Sequence, residues 1–104
     1  MTTPRHPRYP LAPRDQWYGD ANYLQTGGRL VWMSPGRFLR RVRPLTLDVI
    51  AEENIADLVH HIEHGGVLDP LSIDQRGRED GRHRAHAAIL LGIRSVPVLI
   101  WRHT

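Results

Sequence analysis

The chain has 104 residues, carries a formal net charge of +3 and contains no cysteine. This length suits one domain with a modest hydrophobic core, and the lack of cysteine excludes disulfides, thiolate metal sites and thiol nucleophiles. All 14 residues of the Lys and Arg class are arginines, which excludes Schiff-base and P-loop lysines. A phosphate group can therefore be bound only by arginine, histidine or backbone amides.

Hydropathy indicates the compartment in which the protein is expected to act. No apolar run approaches the roughly 20 residues of a membrane span, and the first ten residues lack the apolar core of a signal peptide. We therefore expect a cytoplasmic protein with no membrane partner.

The charge is unevenly distributed along the chain. Residues 1–43 hold eight arginines against Asp15 and Asp20, whereas residues 44–104 hold six arginines against nine acids. This basic half is either a solvated surface or an arm that meets nucleic acid or another anionic partner.

The N-terminal region is predicted to be an extension over residues 1–26, followed by one domain over residues 27–104. Prolines at positions 4, 7, 10 and 13 lie on one face of a polyproline II helix. The segment is therefore extended, and we expect it to lie across its own domain or to be disordered.

The first half of the domain reads as a strand and two helices. The apolar run from Arg29 to Met33 predicts a strand, and Pro35 to about Arg41 a short helix that Pro44 closes. The stretch "DVIAEENIADLVHHIEHGG" has apolar residues at helical spacing, and its two final glycines predict a helix end.

The second half reads as strand, turn, helix and strand, which gives an α+β fold with a short mixed sheet packed with helices. "DPLSID" predicts a short strand, "QRGRED" a turn or small hairpin ending near Asp80, and Arg82 to Gly92 a helix. "SVPVLIW" predicts a last strand, in which Pro97 indicates an edge position or a strand start.

The helix that begins near Arg82 is apolar all round, except in its first turn. We therefore expect it to be buried all round. Its first turn holds Arg82, His83 and Arg84 after Gly81, at the end where backbone amides and the helix dipole attract anions. This arrangement predicts a phosphate site. The alternative is a solvent-facing helix end whose arginines pair with the acids at 79 and 80.

The motif order "GVLDPLSI…DGRHRAHAAILLGIRSVPVLI" resembles the ParB/sulfiredoxin superfamily over about residues 44–101. Gly66 to Leu71 is similar to the Gly-x-x-x-Pro-Ile/Leu box of ParB proteins. Gly81, Arg84 and Ala85 match Gly-Glu-Arg-Arg-x-Arg-Ala in part, and Gly92 with the Val96-Pro97-Val98 run matches the Gly and Val-Pro-Val strand. Asp80 to Arg84 is also close to the Asp-Gly-His-His-Arg of free-serine kinases.

Departures from the family narrow what the resemblance implies. Arg82 stands where sulfiredoxins have their nucleophilic cysteine and where ParB has a glutamate, so sulfinic-acid repair is excluded. The nucleotide-binding segment and helix-turn-helix that follow in partition ParB proteins have no match within these 104 residues. The resemblance implies a stand-alone ParB-like domain of the "DGRHRA" type, as found in phages and plasmids.

The resemblance implies a nucleotide site. Together with the helix-start pattern, which contributes Arg82, it assigns these residues to phosphate or nucleotide binding: Gly66, Asp69, Pro70, Gly81, Arg82, His83 and Arg84. Asp80, His83 and Arg84 are the candidate catalytic residues. The expected ligands are ATP, ADP or CTP with Mg²⁺.

The function implied is that of a nucleotide-binding domain or a nucleotide-dependent NTPase, nuclease or small-molecule kinase. The alternative is a non-catalytic DNA- or protein-binding module of a mobile element, in which the same site binds a phosphate of the DNA backbone. The sequence leaves open whether the domain is catalytic and whether it forms a homodimer.

A second pattern, "HHIEH", fits the His-x-x-Glu-His of inverted zinc proteases, with His60 and His64 one helical turn apart. The pattern is short and recurs by chance, and a protease needs a third ligand and a cleft. We assign no metal site to it.

Overall fold

The computed structural model describes residues 7–17, 28–42, 47–73 and 79–100. A 3₁₀ turn, Arg14–Gln16, precedes strand β1 (Arg29–Met33), helix α1 (Pro35–Arg41) and helix α2 (Val49–Glu63). Strands β2 (Leu71–Ile73) and β3 (Glu79–Asp80), helix α3 (Arg82–Leu90) and strand β4 (Val96–Ile100) follow. Most of the predicted turn at "QRGRED" and the boundary predicted between residues 26 and 27 lie outside the described residues.

The four strands form one mixed sheet in the order β1-β4-β2-β3. β4 pairs antiparallel with β1 and parallel with β2, and β2 pairs antiparallel with β3. Of the three helices, α3 packs against β2, and α1 and α2 pack against α3, so the predicted α+β class is confirmed.

Local sequence explains where α1 and α2 begin. The Ser34 hydroxyl accepts a hydrogen bond from the Arg37 amide at 3.1 Å, with Pro35 in the first helical position. The Asp48 carboxylate accepts from the Ala51 amide at 2.8 Å. Both predicted helices are confirmed, and Gly65 follows α2 with a φ of 81°, which is typical of a helix stop.

Two apolar clusters lie on opposite faces of the sheet, because successive strand residues point to opposite sides. The helix-covered face includes Met33, Val96 and Val98, together with Phe38 of α1 and Ala85 of α3. The other face is covered by the N-terminal segment, whose Ala12 and Trp17 pack with Leu99 and Leu30. The expectation that the N-terminal region lies across its own domain is confirmed for residues 7–17.

The predicted edge position of Pro97 is wrong, because β4 is an inner strand. Proline is tolerated there because β2 begins to pair with β4 only at Val98, one residue further along. At Pro97 the strand has a partner on the β1 side, opposite Trp32. Pro97 is the second residue of β4, so the alternative expectation of a strand start agrees with the structure.

The prediction that α3 is buried all round is also wrong. Ala85, Ala87 and Ala88 are fully buried, but Ile89 is 48 % exposed and Leu90 71 % exposed. A domain of this size has few elements with which to cover a helix. This end of α3 stays largely exposed along a mostly apolar groove that it forms with α2.

No helix in the described ranges combines the length and the apolar character that a bilayer crossing demands.

Candidate functional site at the start of helix α3

Gly81 sets the geometry of the candidate site. It is the N-cap of α3, it is buried, and its φ of 114° lies in the left-handed region that favours glycine. A Cβ atom at this position would lie 2.5 Å from Leu71 Cγ. Only glycine therefore fits at position 81, where the backbone between β3 and α3 packs directly against Leu71 of β2.

The first turn of α3 lacks the side-chain cap that begins the other two helices. Gly81 provides no side-chain acceptor for the first amides, whereas Ser34 and Asp48 cap α1 and α2. The first turn contains no acid, and Arg82 and His83 are half-buried. This end of the helix combines backbone donors, the positive end of the dipole and a cationic side chain.

Burial lowers the pKa of His86 below its usual 6.5, and the charge of His83 lowers it further. The two imidazoles are thus close enough to influence each other.

Arg84 belongs to the first turn of α3, but its guanidinium bonds to the chain just before β2 and to Asp80. Its guanidinium Nη1 donates to the backbone carbonyl of Asp69 at 3.0 Å and to that of Pro70 at 3.3 Å. Nη2 lies 3.2 Å from the Asp80 carboxylate, and the Arg84 side chain is only 14 % exposed. The alternative of an arginine paired with Asp80 therefore describes Arg84.

Tyr9 joins the same group of atoms from the N-terminal segment. Its hydroxyl donates to the Asp69 carbonyl, which thus accepts from both Tyr9 and Arg84. Burial raises the pKa of Tyr9 to about 12, and the nearby Arg84 charge opposes this increase. We call Tyr9, Asp69, Pro70, Asp80 and Arg84 the Arg84 cluster.

The remaining candidate residues divide between this cluster and a different place. The backbones of Asp69 and Pro70 belong to the Arg84 cluster, and the Asp80 carboxylate is 80 % exposed beside it. Gly66 lies instead against His61, whose ring atoms would be 2.3 Å from a Cβ there. His61 packing, with its Nε2 2.9 Å from the Val67 carbonyl, explains this glycine.

The histidines of "HHIEH" lie at the end of α2. The ring centroids of His60 and His64 are 4.0 Å apart, and His64 Nδ1 lies 2.8 Å from the His60 carbonyl. Across residues 7–17, 28–42, 47–73 and 79–100, no three potential ligands among His, Asp and Glu are grouped to hold a metal ion.

Sequence reasoning missed two features that the structure brings together. Tyr9 was assigned to an extension, yet it is 5 % exposed and belongs to the main core. A cavity beside it, of about 380 Å³, is lined by Pro7, Arg8, Tyr9, Trp32, Arg94 and Ser95. Since these residues come from three distant stretches, no local motif could indicate the cavity.

Comparison of the chain with protein-family models, with curated proteins and with solved structures gives no match. The ParB/sulfiredoxin resemblance therefore stays a prediction drawn from the motifs.

We predict that Gly81→Ala destabilises the domain by about 1 to 3 kcal/mol more than Gly65→Ala. Both substitutions put a Cβ on a left-handed residue, but only the one at position 81 meets a neighbour, because nothing lies within 4 Å at Gly65. Urea unfolding of the two variants measures the difference. Equal losses would mean that the Leu71 contact relaxes freely.

We predict that stability falls above about pH 10, because the folded-state pKa of Tyr9 is about 12 and its ordinary value is 10.0. Folding favours the neutral phenol, so this contribution is complete below pH 10 and is lost as pH rises towards 12, by about 1 kcal/mol at pH 11. The chain has no lysine to titrate in this range. Unfolding in urea at several alkaline pH values should show a shallower decline in Tyr9→Phe; an unchanged decline would contradict the assignment.

Proposed function

We propose that the protein is cytoplasmic and that these residues form a ParB-like domain, which binds the phosphates of a nucleoside di- or triphosphate at the first turn of α3. The observation that carries this proposal is the buried, left-handed Gly81, which leaves the first amides of α3 without a side-chain cap beside Arg82 and His83. An anion is the ligand that such a helix end attracts.

The order of the motifs on the structural elements supports the family part of the proposal. The Gly66 to Leu71 box leads into β2, and the Gly81 to Ala85 box forms the start of α3. Gly92 follows α3 with a φ of 74°, and the Val-Pro-Val run opens β4. The motifs thus fall at element junctions, where a strand-turn-helix phosphate site needs them.

Each residue has a distinct role in this proposal. The amides after Gly81 donate to phosphate oxygens, Arg82 neutralises their charge, and His83 donates a hydrogen bond from its ring. Arg84 is a positioning residue, since its guanidinium is committed to the Asp69 and Pro70 carbonyls. It fixes the start of α3 relative to β2.

Magnesium fits this site only as the companion of a nucleotide. Mg²⁺ bound to phosphates takes one or two carboxylates from a protein. The exposed carboxylate of Asp80 would provide one of them, and Asp69 is the other acid assigned to the site. Bound Mg²⁺ would neutralise phosphate charge, which is the chemistry that a nucleotide-dependent enzyme requires.

We predict that ATP, ADP or CTP raises the melting temperature of the protein. Arg82→Ala should weaken the affinity for the most tightly bound nucleotide by about 10-fold, because it removes one charge-assisted hydrogen bond. A thermal-shift panel with and without Mg²⁺ identifies the nucleotide, and calorimetry gives the affinities. Arg41→Ala is the matched control, since Arg41 is equally cationic but exposed on α1.

Two results would contradict the nucleotide proposal. One is the lack of any shift with all nucleotides at low salt. The other is an equal loss of affinity in Arg82→Ala and Arg41→Ala, which would indicate attraction to overall charge instead of a site.

A second candidate function, a non-catalytic nucleic-acid-binding module, is favoured by the charge of the N-terminal half. Among residues 7–17 and 28–42, the only acid is Asp15, and six arginines are exposed, at positions 8, 14, 29, 37, 40 and 41. Such an excess attracts a phosphate backbone regardless of sequence.

A further inference from the structure

We propose that the cavity beside Trp32 is a binding site for single-stranded nucleic acid, in which Trp32 stacks on a base while Arg8 and Arg94 contact the flanking phosphates. This inference deepens the second candidate function and shares no residue with the first turn of α3. We call the cavity and its six lining residues the Trp32 pocket.

The aromatic part of the pocket is built on a rigid frame. Trp32 lies in the edge strand β1, opposite Pro97 of β4, and half of its surface is exposed. Tyr9 forms a second wall, and its hydroxyl is already held by the Asp69 carbonyl. The pocket therefore offers the exposed Trp32 ring on a paired strand, beside a wall that the buried Tyr9 holds in place.

The charged part of the pocket selects the class of ligand. Arg8 and Arg94 are both exposed, none of the six lining residues is acidic, and neither guanidinium has a hydrogen-bond or ion-pair partner within the described part of the chain. Cationic groups beside an exposed aromatic ring match a chain that alternates bases with phosphates. Proteins that bind single strands use this same combination.

The geometry favours a single strand over a duplex. A volume of about 380 Å³ accommodates one unstacked base together with part of its sugar. In a duplex the faces of the bases are covered by their neighbours, so a base there cannot stack on Trp32.

Fluorescence polarisation with labelled oligo(dT) and oligo(U) of about 12 nucleotides tests this site. Trp32→Ala should weaken binding by about 10-fold, because one stacked base is lost. Arg94→Ala should make the salt dependence shallower by about 0.7, the share of one phosphate contact on a single strand. Trp32→Leu, which keeps apolar surface without an aromatic face, provides a second variant should Trp32→Ala fail to fold.

Two controls assign any loss to the pocket. An oligonucleotide of the same length without bases should bind the wild-type protein more weakly and should not distinguish it from Trp32→Ala. Arg41→Ala removes the same charge as Arg94→Ala outside the pocket and should have the smaller effect. Nucleotide binding by Trp32→Ala should be unchanged, which keeps a failure here separate from a failure of the nucleotide proposal.

Three outcomes would overturn the inference. The first is equal affinity of wild type and Trp32→Ala for both oligonucleotides. The second is an equal effect of Arg94→Ala and Arg41→Ala. The third is binding of a proline-rich peptide, lost in Trp32→Ala, by a protein that does not bind single strands, which would make the pocket a peptide site.

Discussion

The hydrogen bonds of Arg84 to two consecutive carbonyls are the interaction on which the arrangement of this domain depends. The guanidinium reaches the backbone at Asp69 and Pro70, just before β2, from the first turn of α3. Tyr9 brings the N-terminal segment to the same Asp69 carbonyl. The Asp69 carbonyl, which accepts from both side chains, thus connects three stretches that lie far apart in sequence. The ion pair with Asp80 adds little, because that carboxylate is mostly exposed.

This interaction changes the chemistry available at the start of α3. An arginine that donates to two carbonyls cannot move to a ligand without removing one donor from each, which costs free energy. In the proposed nucleotide site Arg82 therefore contacts the phosphates, with His83 beside it. Gly81 contributes in another way, since its lack of a side chain lets the turn pack directly against Leu71. In the proposed nucleotide site, positioning and ligand binding are thus divided among adjacent residues of one turn.

The sequence was a good guide wherever structure depends on neighbours along the chain. Ser34 with Pro35 and Asp48 specify helix starts through local capping, and Gly65 specifies a stop. It was a poor guide where burial depends on distant elements. Ile89 and Leu90 look like core residues but are 48 % and 71 % exposed, and Tyr9 looks like part of a tail but lies in the core. Arg84 shows the same limit for the site, because its acceptors are backbone carbonyls 14 and 15 residues away.

The most direct test of this account is the free energy of unfolding of Arg84→Ala in urea, compared with that of Arg41→Ala. Arg41 is exposed on α1, so its loss should change stability by no more than about 0.5 kcal/mol. Arg84→Ala should lower stability by about 2 to 4 kcal/mol, because it leaves two partly buried carbonyls with one donor fewer each. An Arg84→Ala protein as stable as the wild type, with weakened nucleotide binding, would contradict the account and make Arg84 a ligand of the phosphates.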